Sequence, residues 1–485
     1  MSTIKDLYPQ KLWEIFHELT QIPRPSKKEQ AAAEYAKLFG EKLGLKTIVD
    51  EVGNVIISKP ATPGLENRMG IVLQSHLDMV PQKNSDKVHD FEKDPIETLI
   101  DGDWVTANGT TLGADNGIGV AAALAVMASD NLEHGPIEAL LTIDEETGMT
   151  GAFELKSGIL KGDILLNMDS EDEGELYIGC AGGINTSGSF DYREEDSPAG
   201  YVAYKIEVKG LKGGHSGLDI NLGRSNAIKM INRFLWDATK NMDLKISAFE
   251  GGSLRNAIPR EAFADVVIPD AKKSDFEKMV SDFNLVFKTE FQGTEPDLSF
   301  STNSIDVPAK VMPAEAQDRF IKMIYGIPNG VMRMSVDMAD VVESSTNLAI
   351  VKAVEGEVSA MCLIRSSVDS AKFSVANKTQ AVMELAGATV LHDGTYPGWK
   401  PNMDSPILKT MKTVYNDKYG KVPDIKVIHA GLECGIIGDA YPEMDLISFG
   451  PTIRFPHSPD EKVNIKTVGL FWDYLLETLK KVPVK

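Results

Sequence analysis

Cysteine is scarce in this chain of 485 residues. Cys180, Cys362 and Cys434 are far apart and none forms a Cys-x-x-Cys pair, so the sequence predicts neither a disulfide framework nor a zinc finger. Long apolar runs are lacking too, and no stretch approaches the ~20 residues that a membrane span needs. The segment from Met1 to Gln10 is polar and lacks the apolar core of a signal peptide. These absences favour a soluble protein of the cytoplasm.

Basic residues are in the minority. Lys and Arg total 50 against 71 Asp and Glu, so the formal net charge is −21 and the sequence pI is about 4.9. Such a surface repels nucleic acids and anionic membranes, and neither is an expected partner. No Gly-x-Gly-x-x-Gly or Gly-Lys-Ser/Thr phosphate loop is present, which argues against nucleotide binding. The composition, 42% hydrophobic and 25% charged, is that of a globular protein, and the length predicts about two to three domains.

Apolar runs alternate with helical patterns in the first part of the chain, and the same alternation is found again near its end. The expected buried strands include residues 69–73, 137–143 and 163–168. This alternation predicts an α/β fold with a mainly parallel, mixed sheet. Ser26 to Glu29 is expected to form a capping box before a helix at 30–43, and residues 80–110 are expected to form an irregular loop.

The middle of the chain has a different texture, with alternating strands and amphipathic helices. We therefore predict a discontinuous α/β domain, residues 1–183 and 395–485, that carries an inserted α+β domain at 184–394. A weaker echo of the first half of the insert follows in its second half, where Asn347 takes a place similar to that of Asn256. The insert is therefore predicted to be a duplicated unit.

Acidic and histidine residues stand at or just beyond the ends of the predicted strands in the α/β domain. Because parallel strands end at one edge of a sheet, where open α/β sheets bind ligands, these side chains are expected to converge. Two divalent ions ~3.5–4 Å apart need a bridging carboxylate and further ligands on each ion. Two histidines and three carboxylates suffice, and one more glutamate can act as a base. The candidate residues are His76, Asp78, Asp115, Glu145, Glu146, Asp169 and His457.

The segments around these residues resemble the M20 metallopeptidases, and the full length of the chain looks like the bacterial aminoacyl-histidine dipeptidases, also called cytosol non-specific dipeptidases. The motifs that carry the resemblance are His76-x-Asp78, Gly113-Ala114-Asp115-Asn116-Gly117, Asp144-Glu145-Glu146-Thr147-Gly148, Asp169 and Phe455-Pro456-His457-Ser458. The resemblance implies a zinc-peptidase-like catalytic domain and an inserted lid.

The resemblance also implies a role for each residue of the constellation. Asp115 would bridge two divalent metal ions, with zinc expected and manganese or cobalt as alternatives. His76 and Asp169 would complete one site, and Glu146 and His457 the other. The resemblance further implies that Asp78 orients His76, that Glu145 is the general base, and that the peptide bond after Asp115 is cis. An aspartate at position 169 favours substrates with a free amine.

In the lid, the resemblance implies residues that contact the substrate. His215 would stabilise the oxyanion, from its own chain or across a homodimer, and Arg365 would bind the terminal carboxylate of the substrate. Asn256 fits the family's asparagine, with Asn347 as a rival. Gly431 would lie in a segment that contacts the substrate carboxylate.

The function implied is hydrolysis of unmodified dipeptides, including those with a carboxy-terminal histidine such as β-alanyl-histidine. One alternative is an amidohydrolase of the same superfamily that acts on N-acyl amino acids. Another is a catalytically silent metal-binding or scaffold protein, although retention of Glu145 argues against it because a binding protein needs no general base.

Overall fold

The computed structural model of the protein describes residues 3–485, so Met1 and Ser2 of the amino-terminal segment lie outside the described residues. The chain forms two compact units. Unit 1 comprises residues up to 180, 399–427 and 432–485, and unit 2 comprises residues 181–398 and 428–431. These divisions lie within a few residues of the predicted ones, except that residues 428–431 join unit 2.

The first part of unit 1 contains, in chain order, α1 (Gln10–Thr20), α2 (Gln30–Lys42), β1 (Lys46–Val49), β2 (Val55–Lys59), β3 (Ile71–His76), β4 (Thr98–Asp101), β5 (Trp104–Ala107), α3 (Ala114–Ala128), β6 (Ile137–Thr142), α4 (Glu145–Gly148), α5 (Thr150–Glu154), β7 (Ile164–Asn167) and β8 (Glu175–Cys180). The next part of the chain contains β9 (Gly182–Asp191), β10 (Glu195–Asp196), β11 (Tyr201–Lys209), β12 (Gly214–His215), α6 (Ala227–Met242), β13 (Lys245–Gly251), β14 (Ala257–Ile258), β15 (Ala262–Pro269), α7 (Lys273–Glu290), β16 (Ser299–Ile305), β17 (Lys310–Val311), α8 (Ala314–Gly326), β18 (Gly330–Met334), β19 (Val342–Val354), β20 (Glu357–Ser366), α9 (Asp369–Leu385) and β21 (Thr389–Tyr396). The last part contains α10 (Pro406–Tyr419), β22 (Asp424–Ile428), α11 (Glu433–Ala440), β23 (Asp445–Ser448), β24 (Ile453–Arg454), β25 (Lys462–Asn464) and α12 (Ile465–Lys481).

Unit 1 is built on an eight-stranded mixed sheet with the order β1-β2-β6-β3-β7-β23-β8-β22. Its central strands β6, β3, β7 and β23 are parallel, and β1, β2 and β8 pair antiparallel. The α/β prediction with a mainly parallel, mixed sheet is therefore confirmed. Because β3, β6 and β7 run the same way, His76, Glu145 and Asp169 all stand at or just beyond one edge of the sheet.

Helix α3 brings Asp115 to this edge. The helix is rich in alanine, and nearly all of it is buried against β3 and its neighbours. Gly119 permits this close packing, since a Cβ atom there would lie 2.6 Å from Ser75 Oγ and 2.8 Å from the carbonyl oxygen of Met168. A side chain at position 119 would push the helix away from the sheet.

Two local predictions in unit 1 were wrong. Residues 80–110 are not wholly irregular, because β4 and β5 pair with each other and join a four-stranded sheet with the order β24-β25-β5-β4. These strands are short, and β4 is mostly exposed, so they carry no buried apolar run. Ser26 and Glu29 do not form a capping box. The Glu29 carboxylate instead accepts the backbone N–H of Asp144 at 3.0 Å.

Unit 2 contains an antiparallel sheet with the order β16-β11-β15-β13-β19-β20-β9-β21, and β18 pairs with β19. The two halves of this order have the same topology on either side of the β13–β19 pair: β16, β11, β15 and β13 correspond to β21, β9, β20 and β19. Helices α6 and α7 belong to the first half and α8 and α9 to the second. This symmetry supports the duplicated unit, which stays a prediction. Within residues 3–485, no helix has the length and apolar character to cross a membrane.

Candidate active site

The carboxylate of Asp115 lies between two imidazole rings. Its Oδ1 is 3.1 Å from His76 Nε2, and its Oδ2 is 3.2 Å from His457 Nε2. The three side chains come from positions 76, 115 and 457 and meet at the carboxyl edge of the unit 1 sheet. A carboxylate with one oxygen directed to each of two histidines has the geometry of a bridging ligand.

The backbone around Asp115 is irregular. Gly113, just before α3, has a φ of 69°, a left-handed conformation that glycine adopts without strain. Asp115 and Asn116 have non-helical dihedral angles although they lie in the first turn of the helix. The peptide bond between them is cis, as expected.

His76 is buried, and its two ring nitrogens face different partners. Nδ1 is 3.3 Å from Asp78 Oδ1, while Nε2 faces Asp115 and lies 3.3 Å from Asp169 Oδ1. Burial works to raise the pKa of Asp78, but the hydrogen bond and charge of His76, with the hydrogen bonds from Glu145 and Ser26, together outweigh burial and lower that pKa to about 2. Asp78 is therefore a carboxylate at neutral pH, and it holds the His76 ring with Nε2 directed at the cluster.

Asp78 also fixes the segment that carries the two glutamates. Its Oδ1 accepts the backbone N–H of Glu145 at 2.9 Å and its Oδ2 accepts that of Glu146 at 3.2 Å. Asp144 turns the chain into α4 with a φ of 50°. Burial raises the pKa of Glu145 well above its usual range, and the charges of Asp169 and Glu146 raise it further, against a lowering by His76. A raised pKa suits a group that takes up a proton and releases it.

The donor set fits divalent cations. One ligand atom from each of His76, Asp115 and Glu146 lies within 4.8 Å of the others. Glu146 Oε2 is 2.9 Å from His457 Nε2, while its buried Oε1 has no hydrogen-bond partner among residues 3–485. Burial, together with the charges of Asp115 and Glu146, raises the pKa of Asp169 to about 7, although His76 lowers it. Hydrogen bonds to Asp115 and Glu146 raise the pKa of His457 to about 11. The cluster thus has a surplus of negative charge that positive charge stabilises.

Three buried charged side chains next to this cluster were missed in the sequence. Glu433 opens α11, and its Oε2 accepts hydrogen bonds from Gln74 Nε2 at 2.6 Å and Thr142 Oγ1 at 2.9 Å. Arg24 donates to backbone carbonyls near His76 and Asp115, and Glu461 accepts backbone N–H groups before α3. A charged residue inside an apolar stretch of sequence usually indicates that the charge is buried. Of the three, only Glu433, which is followed by Cys-Gly-Ile-Ile, has such a context.

In unit 2, His215 and Arg365 are neighbours. Two backbone N–H groups, of Gly217 and Leu218, donate to His215 Nδ1 at 3.2 and 3.0 Å, so the neutral ring carries its proton on Nε2. Burial, and then the charge of Arg365, lowers the pKa of His215 to about 4. Arg365 Nη2 lies 3.4 Å from His215 Nε2, and its Nη1 donates to the Tyr396 hydroxyl at 3.0 Å.

The other predicted substrate residues lie in the same unit. The side chain of Asn256 is exposed, whereas Asn347 is buried and donates from Nδ2 to the Ala257 carbonyl at 2.8 Å. This contact places Asn347 beside the Asn256 segment and leaves both assignments open. Gly431 is half-buried in the short segment 428–431, where His429 Nε2 lies 2.7 Å from Ser345 Oγ.

Comparisons with known proteins identify the family of the chain. Residues 72–481 match Peptidase family M20/M25/M40. The chain is 48% identical to the cytosol non-specific dipeptidase of Escherichia coli (strain K12) over 485 residues, which cover all of both chains. The structure of aminoacylhistidine dipeptidase from Vibrio alginolyticus is similar, with a TM-score of 0.95 and 52% identity over 100% of this chain and 99% of that one. A tripeptidase from Staphylococcus aureus shares the fold, with a TM-score of 0.57 and 18% identity over 98% of this chain and 99% of that one. The chain belongs to the peptidase family M20/M25/M40, with the fold of its solved members.

Proposed function

We propose that the protein is a metal-dependent dipeptidase that hydrolyses unmodified dipeptides, including those with carboxy-terminal histidine such as β-alanyl-histidine. The observation that carries the proposal is the Asp115 carboxylate between His76 and His457, with Glu145 beside it. The similarity over full length to proteins named as a non-specific dipeptidase and an aminoacylhistidine dipeptidase supports this substrate class.

The residues of the cluster would hold two divalent ions, with zinc expected and manganese or cobalt as alternatives. Asp115 would bridge them, His76 and Asp169 would bind one, and Glu146 and His457 the other. When bound, such ions polarise the peptide carbonyl and lower the pKa of water. The orphaned Oε1 of Glu146 and the negative surplus of the cluster support this donor set.

Glu145 would act as the proton carrier of the reaction. Its carboxylate would take a proton from the attacking water and give it to the amine that leaves when the peptide bond breaks. Two features of the chain support this role: Asp78 holds the backbone of Glu145, and burial raises its pKa so that the carboxyl can keep a proton between the two steps.

In unit 2, we propose that His215 and Arg365 contact the substrate. The neutral His215 carries its proton on Nε2, where it can donate to the oxyanion of the tetrahedral intermediate. The guanidinium of Arg365, held by Tyr396, presents donors for a carboxylate. Asn256 or Asn347, and Gly431, complete the proposed set, and a homodimer in which His215 acts across subunits belongs to the same proposal.

Release of free histidine from β-alanyl-histidine, leucyl-histidine and N-acetyl-histidine, before and after chelation, tests the function. We expect cleavage of the two dipeptides only, lost with chelator and restored by zinc or manganese. Cleavage of the acetylated compound alone would indicate an N-acyl amino acid amidohydrolase, and no turnover of any would favour a silent metal-binding protein.

The base is tested by Glu145→Gln, which keeps the shape of the side chain and removes its basicity. A general base contributes typically about 10²- to 10⁴-fold to the rate, so turnover should fall by that factor while metal content stays at the wild-type value. Glu154→Gln, an exposed glutamate of α5, is the matched control and should behave as wild type. Wild-type turnover in Glu145→Gln would refute the mechanism.

A further inference from the structure

The carboxylate of Glu461 gathers an unusual number of backbone donors. Its Oε2 accepts the N–H groups of Leu112 and Gly113 at 2.7 and 2.9 Å, and its Oε1 accepts those of Ala114 and Asp115 at 2.8 and 3.2 Å. The side chain is 2% exposed. The first N–H groups of a helix have no partner within the helix, and a buried anion at that end satisfies them. Glu461 therefore fixes the backbone that enters α3 and carries Asp115.

The same carboxylate sits in the turn that carries His457. The backbone N–H of Glu461 donates to the Ser458 carbonyl at 3.0 Å, and the Thr106 hydroxyl donates to the Glu461 carbonyl at 2.8 Å. The His457 side chain is 52% exposed, so little packing around the ring restrains it. The position of the His457 ring relative to Asp115 therefore depends on the turn. The Glu461 side chain links that turn to the backbone of residues 112–115.

Arg24 makes the corresponding link to His76. This side chain is also 2% exposed, and its Nη1 donates to the carbonyls of Leu77 and Asp78 at 2.9 and 3.0 Å. Its Nη2 donates to the carbonyl of Gly113. The planar guanidinium thus links the end of β3 to the loop before α3 by donating to carbonyls of both segments. Glu461 binds the same loop through the loop's backbone N–H groups.

We propose that Glu461 and Arg24 are positioning residues that set the spacing of His76, Asp115 and His457 before any ion binds. Neither side chain offers an atom to the cluster, since their polar atoms are committed to the backbone of the three segments that carry the ligands. The inference rests on the proposed metal-dependent function, and it adds that metal affinity is fixed by these two buried charges. Groups that orient metal ligands typically change affinity or activity by about 10- to 100-fold when replaced.

Glu461→Gln tests the inference because the two oxygens of Glu461 each accept two N–H groups. An amide has one acceptor oxygen, so in either orientation its NH₂ group faces two backbone N–H groups. We expect the Kd for Zn²⁺, measured by competition with a chromophoric chelator, to rise by about 10- to 100-fold. Turnover should recover when zinc is raised to saturation, because Glu145 is untouched. Arg24→Lys, which keeps the charge but loses the fork, should weaken zinc binding in the same way.

Glu138→Gln is the matched control. Glu138 is 8% exposed and accepts the backbone N–H groups of Lys161 and Gly162 at 2.7 and 2.9 Å, in the same unit but at the other end of β6. Both N–H groups reach Oε2, so the glutamine oxygen can keep both bonds but without the charge. This variant should therefore lose some thermal stability and keep the wild-type Kd for zinc. If Glu461→Gln does not fold, Glu461→Asp, which withdraws the carboxylate by one methylene, is judged by the same Kd.

The outcomes separate the two claims. A wild-type zinc Kd in Glu461→Gln, with a loss of thermal stability like that of Glu138→Gln, would make Glu461 a structural cap and overturn the inference alone. Turnover that stays low at saturating zinc with an unchanged Kd would overturn it too. Failure of the wild-type protein to bind any divalent ion would overturn the proposed function, and the inference with it.

Discussion

Asp78→Asn isolates the effect of the negative charge that contacts His76 Nδ1, on the side of the ring that faces away from Asp115. The side chain is fully buried. Its Oδ1 lies 3.3 Å from His76 Nδ1 and accepts the backbone N–H of Glu145 at 2.9 Å, its Oδ2 accepts the backbone N–H of Glu146 at 3.2 Å, and the Ser26 side chain also hydrogen-bonds to the carboxylate. Asparagine has almost the same shape but one acceptor oxygen and no charge. Its NH₂ group must face either the Glu146 N–H or the other two contacts.

The contacts set the size of the effect. The less disruptive orientation keeps the amide oxygen at the Oδ1 position and loses one charge-assisted hydrogen bond, worth about 1.5–3 kcal/mol. The lost bond is the one to the Glu146 N–H, and His76 keeps its contact but loses a charged partner. Since about 1.4 kcal/mol is a factor of ten, the Kd for the ions that Glu146 and His76 are proposed to bind should rise by about 10- to 100-fold, the range typical of groups that orient metal ligands. The Glu145 segment loses a restraint as well, so kcat should fall even at saturating metal.

Zinc titration of the metal-free variant, in competition with a chromophoric chelator, gives the Kd of each site and the stoichiometry. Asp50→Asn is the control, because Asp50 accepts the backbone N–H groups of Val52, Gly53 and Asn54 in a turn of the same unit without touching the cluster. Wild-type affinity at both sites and wild-type kcat in Asp78→Asn would refute the argument that Asp78 orients His76.

Three further outcomes are expected. If Arg365 binds the substrate carboxylate as proposed, Arg365→Met should raise KM by about 10- to 100-fold, because a charge-assisted hydrogen bond is lost. Arg233 pairs with Glu290 at the surface, so Arg233→Met should leave KM unchanged in the same steady-state measurements. His215→Gln should lower kcat by about 10²- to 10³-fold. Burial and Arg365 lower the pKa of His215 to about 4, so the ring is neutral above about pH 5. His215 therefore does not titrate above that pH, and the apparent pKa of the acid limb of the kcat/KM profile there should be the same in His215→Gln as in the wild type. Gly119→Ala should lower the free energy of unfolding by about 1–3 kcal/mol, since the added methyl overpacks α3 against β3; Gly293→Ala, where a Cβ meets nothing within 4 Å, should be neutral in the same thermal melts.

The sequence was most informative at the ends of the apolar runs, where histidine and acidic residues indicate a ligand site more readily than another role. His76 and Asp78, two apart after an apolar run, were expected at the carboxyl edge of the sheet. His76 ends β3, and Asp78 follows two residues beyond the strand, where its Oδ1 lies 3.3 Å from His76 Nδ1. Glu145, Glu146 and Asp169 follow neighbouring parallel strands, and the structure brings all of them together with Asp115 and His457. Their roles as metal ligands and base stay predictions.

Local sequence was a poor guide where long-range bonds replace local ones. Ser26 to Glu29 has the spacing of a capping box, yet Glu29 binds the N–H of Asp144, 115 residues away. Strand β5 pairs with β4 on one side and with residues 462–464 on the other, and no pattern inside 80–110 predicts that distant partner. Short-range propensity contributes only tenths of a kcal/mol per residue, so such tertiary bonds override it.

The sequence by itself determined the α/β class and the strand-end positions of the candidate ligands, because hydrophobic period and residue type are properties of local stretches; the inserted second unit stays a prediction. Only the tertiary structure decided which oxygen of Asp115 faces which histidine, which tautomer His215 adopts, and that Arg24 and Glu461 bond three distant segments into one arrangement. Glu461 accepts its N–H groups across more than 340 residues of chain. Such a contact forms because a buried charge must find donors wherever the fold supplies them.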